Sequence, residues 1–159
     1  MNFENLTLRN QICFTLYNAT NSIVRYYNPL LSKHGLTYTQ YLVMIIVLKK
    51  NSLRICDIAE KLNLPASTIT PVVKKLEKLK LLKKTRNLSD ERNVDVIITK
   101  HGINVCGDLA KIQNNVFCKA DLSVIEFNNL KKTLDKLINN LVLKTKKNWK
   151  KNSVFFSKY

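Results

Sequence analysis

Two helix-period segments, RICDIAEKL (54–62) and ASTITPVVKKLEKLKLL (66–82), stand only three residues apart, across the turn Asn63 to Pro65. Helices joined this closely cannot run on as one rod. They must fold across one another, which is the spacing of a helix-turn-helix. Beyond them, LLKKTRN and VDVIITK read as two strands around the polar loop LSDERN, with Val94, Val96 and Ile98 alternating against Asp95 and Thr99. A hairpin in that position is a wing. On a helical wheel, 66–82 places Ile69, Val72, Val73, Leu76 and Leu79 on one side and Ser67, Pro71, Lys74, Lys75 and Lys78 on the other.

The second side suits a nucleic-acid groove. A charged helix face is usually only solvated surface, but seven Lys or Arg fall within 74–86, directly after the helix-turn-helix and before the wing. Ser67, Thr68 and Thr70 are short hydrogen-bonding side chains suited to base edges, whereas Lys74, Lys75 and Lys78 can neutralise phosphates. In the wing, Arg92 is the candidate for the minor groove, with Asp90 able to hold its guanidinium. The formal charge of +16 over 159 residues agrees with a polyanionic partner, although the abundance of Asn and Lys is also what an AT-rich coding bias would produce.

The remaining chain reads as helices. Ile12, Leu16, Ile23, Tyr27 and Leu30 mark a first one from about Leu8 to Ser32, bent near its end by Pro29. Thr37 and Gln40 form a capping box ahead of YLVMIIVLKK, whose apolar run is buried on nearly all sides. A fifth helix spans about Lys100 to Phe117, and Ser123 with Glu126 caps a sixth carrying Phe127, Leu130, Leu134, Leu137, Ile138 and Leu141. The expected fold is therefore mainly α with a small β-hairpin wing: a winged helix-turn-helix at 37–100 on a helical dimerisation region made of 1–36 and 101–147. A basic aromatic tail, 148–159, follows, and reads as a frayed helix end or, less simply, a phosphate arm.

The longest apolar run, 41–48, is too short to span a bilayer, and the start MNFENLTLRN lacks a targeting pattern, so the expected location is cytoplasmic with no membrane partner. Cys13, Cys56, Cys106 and Cys118 form no C-x-x-C pair and have only His34 and His101 for company, so neither a metal nor any other cofactor is expected. Cys56 lies in the apolar pattern of its helix and reads as packing; Cys106 is ambiguous. Cys13 shares a narrow stripe of the first helix with Tyr17, Thr20, Val24, Tyr27 and Leu31. Free cysteine is commonly buried filler, so spacing alone favours packing.

NQICFTLYNAT, LTYTQYLVMIIVL, TITPVVKKLE and DERNVDVIIT with ITKHG together resemble, in order and spacing, the MarR family of winged-helix regulators. The cysteine stretch with LTYTQYL resembles in particular its organic hydroperoxide sensor branch, OhrR, and Cys118 in NNVFCKA resembles the second cysteine of the two-cysteine type. The match covers roughly 5–140. It departs at Pro65, Ala66 and Ser67, where the branch usually reads Asp-Ser-Gly or Asp-Ser-Ala, and at Thr39, which replaces a proline.

The resemblance implies a homodimer that binds double-stranded DNA at a palindromic operator and releases it when Cys13 is oxidised by organic hydroperoxide. It implies that Tyr27 and Tyr38 donate to the Cys13 sulfur from a partner subunit, with Tyr17 as the local i+4 neighbour, and that Cys118 is the resolving thiol. It implies no enzyme. Read from the residues alone, the three tyrosines could equally be dimer-core aromatics, and Cys118 a spectator. A repressor answering a small aromatic ligand or another thiol oxidant would respond normally as Cys13→Ser. A thiol peroxidase would turn over with a reductant, and a nonspecific DNA-coating protein would not distinguish an operator from random duplex.

Overall fold

The structure, a computed structural model, describes residues 8, 11–50, 52–86 and 94–156, and the side chains of these except 115–117 and 142–156. In chain order the elements are α1 (Ile12–Ser32), α2 (Tyr38–Lys50), β1 (Ser52–Arg54), α3 (Ile55–Leu62), α4 (Ala66–Lys78), β2 (Leu82–Arg86), β3 (Val94–Ile98), α5 (Lys100–Lys119) and α6 (Val124–Phe156). They form two compact units, Met1–Val116 and Phe117–Tyr159.

In the first unit, local chemistry sets the helix ends. Past Ser32 the Leu36 amide reaches back to the Leu31 carbonyl at 3.1 Å, and Gly35, at φ +67°, supplies the left-handed residue that such a stop requires. The capping box of α2 is present: the Thr37 amide donates to Gln40 Oε1 at 2.8 Å and the Gln40 amide to Thr37 Oγ1 at 3.5 Å. This satisfies the buried Gln40 side chain. Asn63, left-handed at φ 52°, ends α3 and makes the turn into α4.

α2 is the central post of the core. Val43, Met44 and Val47 are fully enclosed with Ile58 of α3, Ile69, Val73 and Leu76 of α4, and Val96 of β3. Tyr27 and Leu31 of α1 and Cys106, Leu109 and Ile112 of α5 join the same cluster. Each such aliphatic side chain contributes roughly 1.5–3 kcal/mol by burial, so three on α4 anchor that helix firmly with its opposite face outward. Glu77 of α4 is bonded to Lys84 of β2 by an ion pair at 3.0 Å and by the Lys84 amide at 3.3 Å. The lysine holds that carboxyl below its ordinary range and ties helix to strand.

The wing is a three-stranded antiparallel sheet in the order β1-β3-β2, not a bare hairpin. β1 pairs Leu53 with Val96, and β2 pairs Lys84 with Val96 from the other side. Three residues, Ser-Leu-Arg, carry no alternation to read; pairing with β3 makes them a strand. Leu79, expected on the core side of α4, is instead 37% exposed, because the helix ends at Lys78 and the wheel no longer applies.

α5 begins at a crowded corner. The Thr99 hydroxyl donates toward the carbonyls of Lys80 (2.7 Å) and Leu81 (3.1 Å) and accepts from the Gly102 amide at 3.0 Å. In the second unit, Ser123 and Glu126 exchange the expected capping bonds, 2.9 Å and 3.3 Å, and α6 runs through the basic tail to Phe156. Cys118, expected just past the fifth helix, lies in its last turn.

Candidate nucleic-acid interface and redox site

Because Ile69, Val73 and Leu76 face the core, α4 presents Ser67, Thr68, Pro71, Lys74, Lys75 and Lys78 to solvent as one face. The N-cap residue, Pro65, has no side chain to accept from the first turn of α4. The positive end of the helix is thus left unmasked beside Ser67 and Thr68. Thr70 differs from its neighbours. It is half-buried and its hydroxyl donates to the Ala66 carbonyl at 2.8 Å, so the oxygen lone pairs and the methyl are what it can offer outward. Lys84, one of the seven basic residues of 74–86, is engaged by Glu77 and adds little to a phosphate-facing charge. Asp90 and Arg92 lie outside the described residues.

Of the four thiols, Cys13, Cys56 and Cys118 are exposed and Cys106 is buried. Packing was expected for Cys56; that is corrected. α3 has eight residues and buries only Ile58 and Ala59, while Cys56 sits in its first turn beside the Arg54–Asp57 ion pair (2.8 Å), with its sulfur 3.7 Å from Asp57 Oδ1. That arginine holds the Asp57 carboxyl below its usual range. Cys106 is the packed thiol, and burial pushes its pKa up, keeping it protonated.

Cys13 and Tyr17 lie on the exposed first half of α1, Tyr17 at 64% exposure. Tyr27 is on the same helix fourteen residues on, which at 1.5 Å per residue is about 21 Å along the axis. A single chain therefore does not bring Cys13 and Tyr27 together. It does bring Tyr27 and Tyr38 together, with ring centroids 5.1 Å apart, and adds a residue that sequence reasoning missed: Tyr41, 5.3 Å from Tyr27 and 5.9 Å from Tyr38. Tyr41 is buried against these rings. Burial first, and then the neighbouring Tyr27, Tyr38 and Cys106, push the Tyr41 pKa up beyond the ordinary tyrosine range; burial also raises that of Tyr38. The signal for Tyr41 was available, since it follows Tyr38 by three residues in LTYTQYL and so falls on the same helix face.

Among the described residues, no helix is long and apolar enough to cross a membrane, and no group of His, Cys, Asp and Glu could hold a metal ion.

A family model of the transcriptional regulator SarA/Rot matches residues 25–109. The chain is 35% identical over 133 residues to the HTH-type transcriptional regulator SarZ of Staphylococcus haemolyticus, covering 84% of this chain and 90% of that one. Among solved structures it resembles overoxidised AbfR bound to DNA, with 32% identity, a TM-score of 0.66, and coverage of 87% and 99% of the two chains. A mutant MarR from E. coli complexed with operator DNA, 18% identical at a TM-score of 0.72 over 77% and 90% of the chains, shares the fold. These are families of regulators and not of enzymes. The chain belongs to the SarA/Rot family, and is a DNA-binding transcriptional regulator built on the MarR-type winged helix.

Proposed function

We propose that this regulator is a cytoplasmic homodimeric repressor of the organic hydroperoxide-sensing type, which leaves a palindromic operator when Cys13 is oxidised. The observation that carries the reading is the placement of an accessible Cys13 at the start of α1, in a chain whose Tyr27, packed ring against ring on Tyr38 of α2, lies too far along α1 to serve it. A second copy can supply what one chain cannot. The proposed dimerisation region, 1–36 with 101–147, leaves Ile12, Tyr17 and Ile23 of α1 uncovered in the single chain, and likewise Ile125, Leu130 and Leu141 of α6. A relative is open to oxidation, since AbfR has been seen both reduced and overoxidised, on DNA in each case.

In this reading the Cys13 thiolate attacks the terminal oxygen of the hydroperoxide. The O–O bond breaks, the alkoxide takes up a proton and leaves as the alcohol, and Cys13 becomes a sulfenic acid. The Cys118 thiol of the other subunit then attacks that sulfur, forming the S–S bond and releasing water. A bridge needs alpha carbons within about 7 Å, so its formation pulls α5 of one subunit toward α1 of the other and resets the spacing of the two α4 helices. Titrating the reduced protein with an organic hydroperoxide should lower operator affinity by about tenfold or more, within the usual range of coupling between two sites. Unchanged affinity after complete oxidation of Cys13 would overturn the reading.

On the DNA side, Ser67, Thr68 and Thr70 read bases, Lys74, Lys75 and Lys78 hold phosphates, and Arg92, steadied by Asp90, enters the minor groove. Lys74→Ala and Lys78→Ala should each weaken binding about equally on operator and random duplex, and lower the salt slope by roughly one per lost phosphate contact in each half-site. Salt slopes equal to the parent's would remove these lysines from the phosphate contacts.

A further inference from the structure

We propose that Glu77 is a positioning residue for DNA binding: by holding the edge strand of the wing to α4, it fixes the angle at which the wing meets the groove beside the one that α4 enters. This rests on the reading that the wing enters the minor groove. The carboxylate spends both oxygens on one residue of β2. Oε2 pairs with the Lys84 ammonium at 3.0 Å, and Oε1 accepts from the Lys84 backbone amide at 3.3 Å. β2 is an edge strand, in the order β1-β3-β2, so every second amide along it faces away from β3 and has no ladder partner. The Lys84 amide is satisfied from α4 instead. A bond to the amide fixes the strand itself, which a bond to the long lysine side chain alone would not do.

Glu77 is the only acidic residue from 61 to 89, and it falls among the seven Lys or Arg of 74–86. Its negative charge opposes the field that draws phosphate to α4, and it engages Lys84, which could otherwise meet a phosphate. On charge alone the residue works against binding DNA. What it contributes is geometry. Ile69, Val73 and Leu76 are fully enclosed and make α4 the rigid partner, and the clamp carries that rigidity past the turn 79–81 into β2. The other edge strand is tied to α3 in the same way: the Arg54 amide donates to Asp57 Oδ2 at 3.4 Å, and its guanidinium pairs with Oδ1 at 2.8 Å. Those two residues are three apart and cap α3, whereas Glu77 and Lys84 are seven apart and join two elements.

The test compares Glu77→Ala and Glu77→Gln with the full-length parent on operator and random duplex, with hydroxyl-radical footprints for the minor groove and dimethyl sulfate protection for the major groove. Glu77→Ala should lower the ratio of operator to random-duplex affinity about fivefold, the scale of one charge-assisted hydrogen bond. It should also lose minor-groove protection at the flanks while the major-groove contacts of α4 stay protected. Glu77→Gln still offers the amide an acceptor, so it should keep the ratio within about twofold of the parent. Tighter binding of Glu77→Ala to both DNAs with the flanks still protected is what a carboxylate acting through charge alone would give, and it overturns the proposal. In the free protein the Lys84 amide should resist hydrogen exchange in the parent and in Glu77→Gln, and exchange openly in Glu77→Ala. Open exchange in the parent overturns the clamp without any variant having to fold. Arg92→Ala, which removes the minor-groove contact itself, should lose the same flank protection. If Arg92→Ala loses it and Glu77→Ala does not, the clamp alone falls; flanks protected in both variants remove the wing contact on which it rests.

Discussion

A Cys13→Ser protein should bind operator DNA as the reduced parent does and keep that affinity after organic hydroperoxide, where the parent loses about tenfold or more. Serine is nearly isosteric, and Cys13 lies on the exposed half of α1, remote in sequence from the α4 face that meets DNA, so the substitution removes the chemistry without disturbing the fold. The variant also separates mechanisms, since a regulator answering a small aromatic ligand would respond normally without the thiol. On a non-reducing gel, the peroxide-treated parent should run as a covalent dimer, Cys13→Ser as a monomer, and Cys118→Ser as a monomer still oxidised at Cys13. If Cys118→Ser crosslinks as the parent does, Cys56 becomes the partner to pursue, because it is exposed whereas Cys106 is enclosed in the core. A mutant that releases DNA on oxidation despite lacking Cys13 would end the sensing assignment.

Gly102→Ala should destabilise the protein by roughly 2–4 kcal/mol, at the upper end of overpacking penalties. A β-carbon there would stand 2.3 Å from the Leu81 carbonyl oxygen and 2.8 Å from Ile98 Cγ1. The first obstacle is backbone, held in place because the same Leu81 carbonyl accepts from the Thr99 amide at 3.1 Å and from its hydroxyl, so it cannot swing aside cheaply. At about 2–4 °C per kcal/mol for a chain of this size, the melting temperature should fall by about 10 °C. Gly107→Ala is the internal control. That glycine is also helical, but a β-carbon on it meets nothing within 4 Å, so the change should be neutral or stabilise by about 0.5–1 kcal/mol through helix propensity. Equal melting temperatures for Gly102→Ala and the parent would mean that the corner between β2 and α5 is looser than its bonds imply.

Read alone, the sequence determined what depends on neighbours a few residues away. The boxes at Thr37–Gln40 and Ser123–Glu126, the turn at Asn63 and the split of α4 into a core side and a lysine side are all contacts within one or two helical turns, which is the range over which side-chain period reports. The winged helix followed from the order of those pieces. Tertiary structure alone decided the rest, because the deciding partner lies far along the chain. β1 is a strand only because Val96 pairs with Leu53, forty-three residues earlier. Cys56, whose local pattern suggests packing, is exposed, and Cys106, whose pattern leaves it ambiguous, is buried, since burial depends on what packs over a helix face and not on the face itself. Tyr41 becomes part of the tyrosine cluster because α1 delivers Tyr27 to it, and Gly102 is obligatory because the Leu81 carbonyl arrives from another element. Loop-closing contacts of this kind leave no periodic trace in the residues that make them.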